Sequence, residues 1–216
     1  MNIVFVLAHP DDESFGPAGT ISKLAKDTNN TVIVVSLCNG NRPGADNVQT
    51  TRQAAFHSAC QLLGAESIIF DSNDLYLEYH QAMSDVESVI NKYKPKIVFT
   101  HNISDIHKDH KLTAEVVMAA CRPKLGSTVN ELYMCEIPAS TYWSFGQMGD
   151  TFIPTTYKDI TSEIEIKQKA MELYFTEIYN FPDARSVESM TTLAKYRGSQ
   201  VGFNYAEAFK LIFSKN

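Results

Sequence analysis

From Ile3 to Ala8 the chain is an unbroken apolar run, and it ends abruptly at His9-Pro10-Asp11-Asp12-Glu13. A strand with one wet face alternates apolar and polar residues, whereas an unbroken run has to be covered on both faces. A strand over residues 2–8 therefore belongs inside a parallel sheet with helices above and below it. The theme recurs along the chain. Thr31–Leu37, Ser67–Phe70, Lys96–Thr100 and Leu132–Ile137 read as further strands. Gly16–Lys26, Thr50–Leu63 (stopped by Gly64), Gln81–Tyr93 and Asp109–Ala120 read as the helices between them. This alternation favours right-handed crossovers and predicts an α/β fold: a Rossmann-like, doubly wound, mostly parallel sheet with flanking helices, in a single domain over residues 1–216. After Ile137 the pattern weakens. Glu163–Tyr174 and Ser186–Arg197 read as helices, and Tyr205–Phe213 as a short terminal helix.

Composition removes several function classes. With 216 residues, 44% of them hydrophobic, and no low-complexity tract, a disordered or fibrous chain is excluded. The net charge of −6, from 19 Lys+Arg against 25 Asp+Glu, argues against a nucleic-acid or anionic-membrane footprint. No apolar run approaches the roughly 18 residues a membrane span needs. The N-terminal run is too short and lacks the basic leader of a signal peptide. Cys38, Cys60, Cys121 and Cys135 show no Cys-x-x-Cys spacing and read as reduced core thiols. The expectation is a soluble cytoplasmic protein with a small-molecule partner, no nucleic-acid or membrane partner, and self-association into a homo-oligomer left open.

In open α/β sheets ligands bind beyond the carboxyl ends of the strands. Three polar clusters fall there: His9–Glu13, Asn39–Arg52 and His101–His110. The first holds a histidine and three carboxylates, and the last includes His107-Lys108-Asp109-His110. Asp alone would be ordinary helix-capping chemistry. Two such clusters on one rim point instead to a metal, because hydrolytic zinc takes three His or carboxylate ligands and keeps a further position open. His9-x-x-Asp12 plus one histidine of the distant loop satisfies that count and leaves Asp11 as a spare carboxylate. A His2Asp set accepts Zn2+, and also Fe2+ or Co2+.

Ala8-His9-Pro10-Asp11-Asp12-Glu13 followed about a hundred residues later by His107-x-Asp109-His110 resembles the LmbE/PIG-L family of zinc-dependent N-deacetylases. The likeness continues through Gly16–Ile21, the arginine-led helix Arg52–Gly64, Arg197-Gly198 and Tyr205–Phe209. It implies that His9, Asp12 and His110 bind zinc, that Asp11 is the general base and that His107 assists at the substrate carbonyl. One departure is Ala55, where family members often carry Glu. The implied reaction removes an N-acyl group, N-acetyl foremost, from an amino sugar or N-acetylglucosaminyl conjugate. The alternatives are an N-formyl or thiol-conjugate amide as substrate, or a non-catalytic binding module that retains the metal; the intact Asp11 counts against the last.

That chemistry sets expectations for single residues. His107, cationic beside a carboxylate, donates to the developing oxyanion. Asp109 orients one imidazole from the second coordination sphere or caps the helix. Arg52 either binds substrate or ties down the loop before it. Glu13 holds the loop, His101 is structural, and His57 and His80 carry no role. Tyr142 and Trp143 are aromatic enough to stack on a sugar but are equally at home in a core. Ser72–Gln81 and Ser140–Thr156 are expected at the pocket mouth.

Overall fold

Ile3, Val4 and Phe5 lie at the centre of the sheet, paired in parallel register with Val32, Ile33 and Val34 on one side and Ile97, Val98 and Phe99 on the other. The computed structural model describes residues 1–42, 44, 48–147, 149 and 151–215. Five parallel strands, β1 (Asn2–Leu7), β2 (Thr31–Cys38), β3 (Glu66–Ser72), β4 (Ile97–His101) and β5 (Glu131–Cys135), are extended by β6 (Thr156–Asp159) and β7 (Ala206–Ser214). The order is β3-β2-β1-β4-β5-β7-β6, with β7 antiparallel to both of its neighbours.

Alternation along β1 divides the core in two. Ile3, Phe5 and Leu7 pack with residues of α2 (Ala18–Ala25), α3 (Val48–Leu63) and α6 (Ile164–Glu172). Val4 and Val6 pack with α4 (Tyr79–Tyr93) and α5 (Lys108–Ala120). The unbroken run is thus covered on both faces. Phe5, Phe99 and Tyr133 stack across three adjacent strands, with centroid separations of 4.4 and 4.9 Å. All four cysteines are free and buried.

The segment Tyr205–Phe213 is not a helix. It forms β7, whose apolar residues Phe209, Leu211, Ile212 and Phe213 mimic helical spacing because the ladder skips a residue: Leu132 pairs with Phe213 and Tyr133 with Leu211. The bulge at Ile212 breaks the period of two that would have marked a strand. Strand β6, short and only half-buried, carries no pattern of its own. β7 also supports the site from behind. Glu207 accepts the Gly19 and Thr20 N–H groups at 2.9 and 2.7 Å, so its carboxylate caps α2, and it pairs with buried Lys167 at 2.7 Å. The remaining helices are α1 (Asp12–Phe15) and α7 (Val187–Ser199).

Candidate metal centre

Strand order reverses between β1 and β4, so the loops leaving their carboxyl ends diverge and open a crevice. His9 leaves β1 there. His101 ends β4, and His110 sits in the first turn of α5. Segments about a hundred residues apart meet at this point because the two strands are neighbours.

His9 Nδ1 and His110 Nε2 face each other at 3.2 Å. Asp12 completes a triangle, with Oδ2 3.5 Å from His9 Nδ1 and Oδ1 3.3 Å from His110 Nε2. A tetrahedral ion with bonds of about 2.0–2.1 Å separates its ligand atoms by roughly 3.3 Å, so the three donors stand at metal-binding spacing. The far side of each imidazole carries the second half of the arrangement. His9 Nε2 meets Asp109 Oδ2 at 3.0 Å, and His110 Nδ1 meets Asp105 Oδ2 at 3.2 Å. Each carboxylate faces the outer ring nitrogen and so aims the other nitrogen toward Asp12, as outer carboxylates do for metal-ligating histidines generally. Burial alone would lower both imidazoles. The carboxylates outweigh it, raising His9 well above its ordinary value and His110 to about 9. The cluster attracts positive charge.

Asp11 stands on strained backbone, at φ 128°, a region that side chains rarely adopt. The strain is over-determined locally. Its N–H donates to Glu13 Oε2, and its carbonyl accepts from Ser14 and Phe15. Glu13 is itself buried, accepts from Ser14 Oγ and Tyr174 Oη, and is pushed by burial up to about 7. Two guanidiniums reach Asp11 Oδ2, Arg185 at 2.7 Å and Arg52 at 3.3 Å. Among the described residues no hydrogen bond engages Oδ1.

Arg52 is only 2% exposed and donates to Asp74 (2.5 Å), Gly40 O, Pro10 O and Asp11. The structure places it as a tie between the polar loop and the motif, and its side chain also lines the cavity in front of the site. Gly40, at φ 80° beneath Arg52, supplies one of those carbonyls. Residues 43 and 45–47 of that loop, and 148 and 150 of the second mouth segment, lie outside the described residues.

His107 departs from expectation in its charge. The Asp109 carboxylate points away from it, to His9 and to the Leu75 N–H, and His107 Nδ1 instead accepts the Asp109 N–H at 3.3 Å, capping α5. Burial and the neighbouring His9 and His110 rings push His107 down to about 4. With Nδ1 accepting the Asp109 N–H, Nε2 is the nitrogen left to donate into the cavity. His101 is fully buried and stacks on His110 at 3.9 Å; its Nε2 accepts the Ala8 N–H, and its Nδ1 has no hydrogen-bond partner among the described residues.

Three residues of this neighbourhood carry more than the sequence suggests. Asp105 lay within a recognised polar cluster without a motif position. Arg185 lies in a loop with no periodic signal at all. His101 is more than a remote structural residue, because it is the plate on which His110 rests. In front of them opens a cavity of about 460 Å³, with Leu75, Ile106 and Trp143 among its apolar walls and Arg185 and Lys108 among its cationic ones. Trp143 is half exposed there, whereas the Tyr142 hydroxyl accepts from Arg197. Leu75 and Ser140 bring both expected mouth segments to the wall.

The profile of the PIG-L family, described as GlcNAc-PI de-N-acetylase, matches residues 4–121, more than half of the chain. The chain belongs to this family. Diacetylchitobiose deacetylase of Thermococcus kodakarensis is 24% identical over 227 aligned positions, covering 97% of this chain and 82% of that protein. Among solved structures, 4-carboxy-2-hydroxymuconate hydratase of Pseudomonas putida superposes with a TM-score of 0.81 at 21% identity, covering 100% and 97% of the two chains. N,N'-diacetylchitobiose deacetylase of Pyrococcus horikoshii superposes with a TM-score of 0.76 at 22% identity, covering 98% and 83%. These likenesses show the doubly wound fold. Within the described residues, no helix is long and apolar enough to cross a membrane.

Proposed function

We propose that this protein is a metal-dependent hydrolase that removes an N-acyl group, N-acetyl foremost, from an amino sugar or N-acetylglucosaminyl conjugate. The observation that carries the reading is the facing pair of imidazole nitrogens at 3.2 Å, bridged by Asp12 and each backed by a carboxylate. A fold shared with a hydratase does not select a reaction, so the site has to. In this reading His9, Asp12 and His110 hold the metal, with zinc favoured and Fe2+ or Co2+ accepted by the same donors. When bound, a divalent ion polarises the acyl carbonyl and brings the pKa of a water ligand down toward roughly 7.

The remaining work falls to the chain's own groups. Asp11 Oδ1, the oxygen free of hydrogen bonds, takes the proton of the attacking water and passes it to the departing amine. His107 Nε2–H donates to the carbonyl oxygen as that atom becomes anionic, and it does so as a neutral donor. Asp109 and Asp105 keep the ligand imidazoles in the required tautomers. Arg52 ties the loop after β2, at Gly40, to the motif loop at Pro10. Four buried free thiols support a reducing, cytoplasmic compartment.

The test is acetate release from a panel running from N-acetylglucosamine and N,N'-diacetylchitobiose to N-acetylglucosaminyl conjugates, with metal content measured in parallel. Acetate and free amine should appear in equal amounts, cease after chelation, and return with added metal. Metal-replete protein that releases no acetate from any of them would refute the reading.

A further inference from the structure

We infer that Arg185, in the loop between α6 and α7, is a positioning residue for the carboxylate of Asp11. The inference rests on the deacetylase reading only in treating Asp11 as the base.

The backbone of Asp11 is fixed by its own turn, but its side chain retains two torsions that decide which oxygen faces the cavity. Among the described residues, the side-chain hydrogen bonds that constrain them come from guanidiniums. Arg52 lies at 3.3 Å and is already committed to Asp74 and two main-chain carbonyls. Arg185 makes the shorter contact, 2.7 Å, to the same Oδ2. Its guanidinium stands 4.3 Å above the ring of Phe15, at the other end of α1, so one side chain grips both ends of the turn that carries Asp12. Its Nε donates to Glu177 O at 3.2 Å, and its main-chain N–H to Asp183 Oδ1 at 2.7 Å, so the loop holds the arginine before the arginine holds Asp11. The second guanidinium nitrogen on Oδ2 leaves Oδ1 as the oxygen turned to the reacting proton. Arg185 also lies 64 positions beyond the stretch that defines family membership, residues 4–121. The base therefore depends on a side chain that the motif does not contain.

Because Arg185 lines the cavity, the competing role is direct substrate binding. Steady-state kinetics separates the two. For Arg185→Ala, positioning predicts a fall in kcat of roughly 10- to 100-fold with KM within about threefold and metal content unchanged. Added guanidinium, far below denaturing concentration, should restore part of the rate. In an Asp11→Asn background the same substitution should cost less than about twofold, because the group it positions is already disabled. A raised KM with unchanged kcat, or an equal loss in both backgrounds, overturns the inference. A second arm needs no substrate. Thermal unfolding of the metal-loaded wild type, both single variants and the double variant forms a cycle, in which Arg185→Ala should lower Tm clearly in the wild type and by less than half as much beside Asp11→Asn. Equal shifts mean the two side chains are uncoupled and sink the proposal. A wild type that releases no acetate defeats the deacetylase reading instead, and the thermal cycle still decides the pairing.

Discussion

Asp105→Asn is the sharpest single perturbation of the metal centre, because the structure says what each atom of the new amide would meet. Asp105 is fully buried. Oδ1 accepts the His107 N–H at 2.8 Å. Oδ2 accepts Ser140 Oγ at 2.9 Å and Thr141 Oγ1 at 2.8 Å, and faces His110 Nδ1 at 3.2 Å. An asparagine has one acceptor oxygen to offer to these two positions. Whichever way the amide turns, its NH2 opposes a buried donor, at a cost of about 1–3 kcal/mol in the apoprotein. The charge that orients His110 is also lost, and outer-sphere changes of this kind weaken metal binding by roughly 10- to 100-fold, about 1.4–2.7 kcal/mol. Asp109→Asn is the control. Both contacts of Asp109, to His9 Nε2 and the Leu75 N–H, use Oδ2, while its buried Oδ1 has no hydrogen-bond partner among the described residues. There the amide can keep its oxygen where it is needed. Competition of apoprotein with a chromogenic chelator should therefore rank metal affinity as wild type, then Asp109→Asn, then Asp105→Asn, with thermal unfolding following the same order. An Asp105→Asn protein that holds metal within about twofold of wild type would refute the argument that this carboxylate sets His110.

Three further outcomes are expected. Asp11→Asn should keep its metal and lose about 100-fold or more in kcat, the usual contribution of a general base; near-normal turnover would point to a different base. If His107 acts as a neutral donor, as its depression to about 4 requires, His107→Gln should retain much more activity than His107→Ala, for which a loss of roughly 100- to 1000-fold in kcat is expected; equal losses would show that a donated N–H is not its contribution. His9 and His110, both raised in the apoprotein, must give up protons to bind metal, so calorimetry in buffers of different ionisation enthalpy should find proton release on metal uptake at about pH 7.5; no release at that pH would contradict the charge state of the cluster.

Much of this site is legible in the sequence, and the limits of that legibility are physical. The burial of β1 on both faces shows in its unbroken apolar run, and the place of the site shows where the run breaks at His9. Which carboxylate backs which imidazole does not show. Asp109 and His110 are adjacent in α5, and neighbours on a helix point about 100° apart, so Asp109 turns to His9 while His110 is backed by Asp105 from the preceding loop. β7 is misread because its bulge destroys the alternation that identifies strands, and because Ala206-Glu207-Ala208 favours a helix until Glu207 is recognised as a cap for α2. Arg185 is invisible for a different reason. Its contact with Asp11 spans 174 positions and comes from a loop, where no periodicity reports which way a side chain faces.

The separation of charge around the cavity follows from the same topology. Asp12, Asp105 and Asp109 surround two imidazoles, and their negative charge is balanced by protons in the apoprotein and by the ion when one binds. Burial and the His9 and His110 rings, 4.6 and 4.7 Å away, disfavour a cationic His107, against the pull of Asp109 and Asp12. The Asp109 N–H on Nδ1 leaves Nε2 as the nitrogen that can donate. Asp11 meets the reverse surroundings, with two guanidiniums on one oxygen. His107 and Asp11 line the same cavity in different surroundings. The histidines come from the end of β1, from β4 and from the start of α5, whereas the arginines that hold Asp11 come from α3 and from the loop before α7. A substitution that let Arg185 or Arg52 turn toward the histidine cluster would weaken both roles at once, leaving the base less fixed and the metal opposed by an added positive charge.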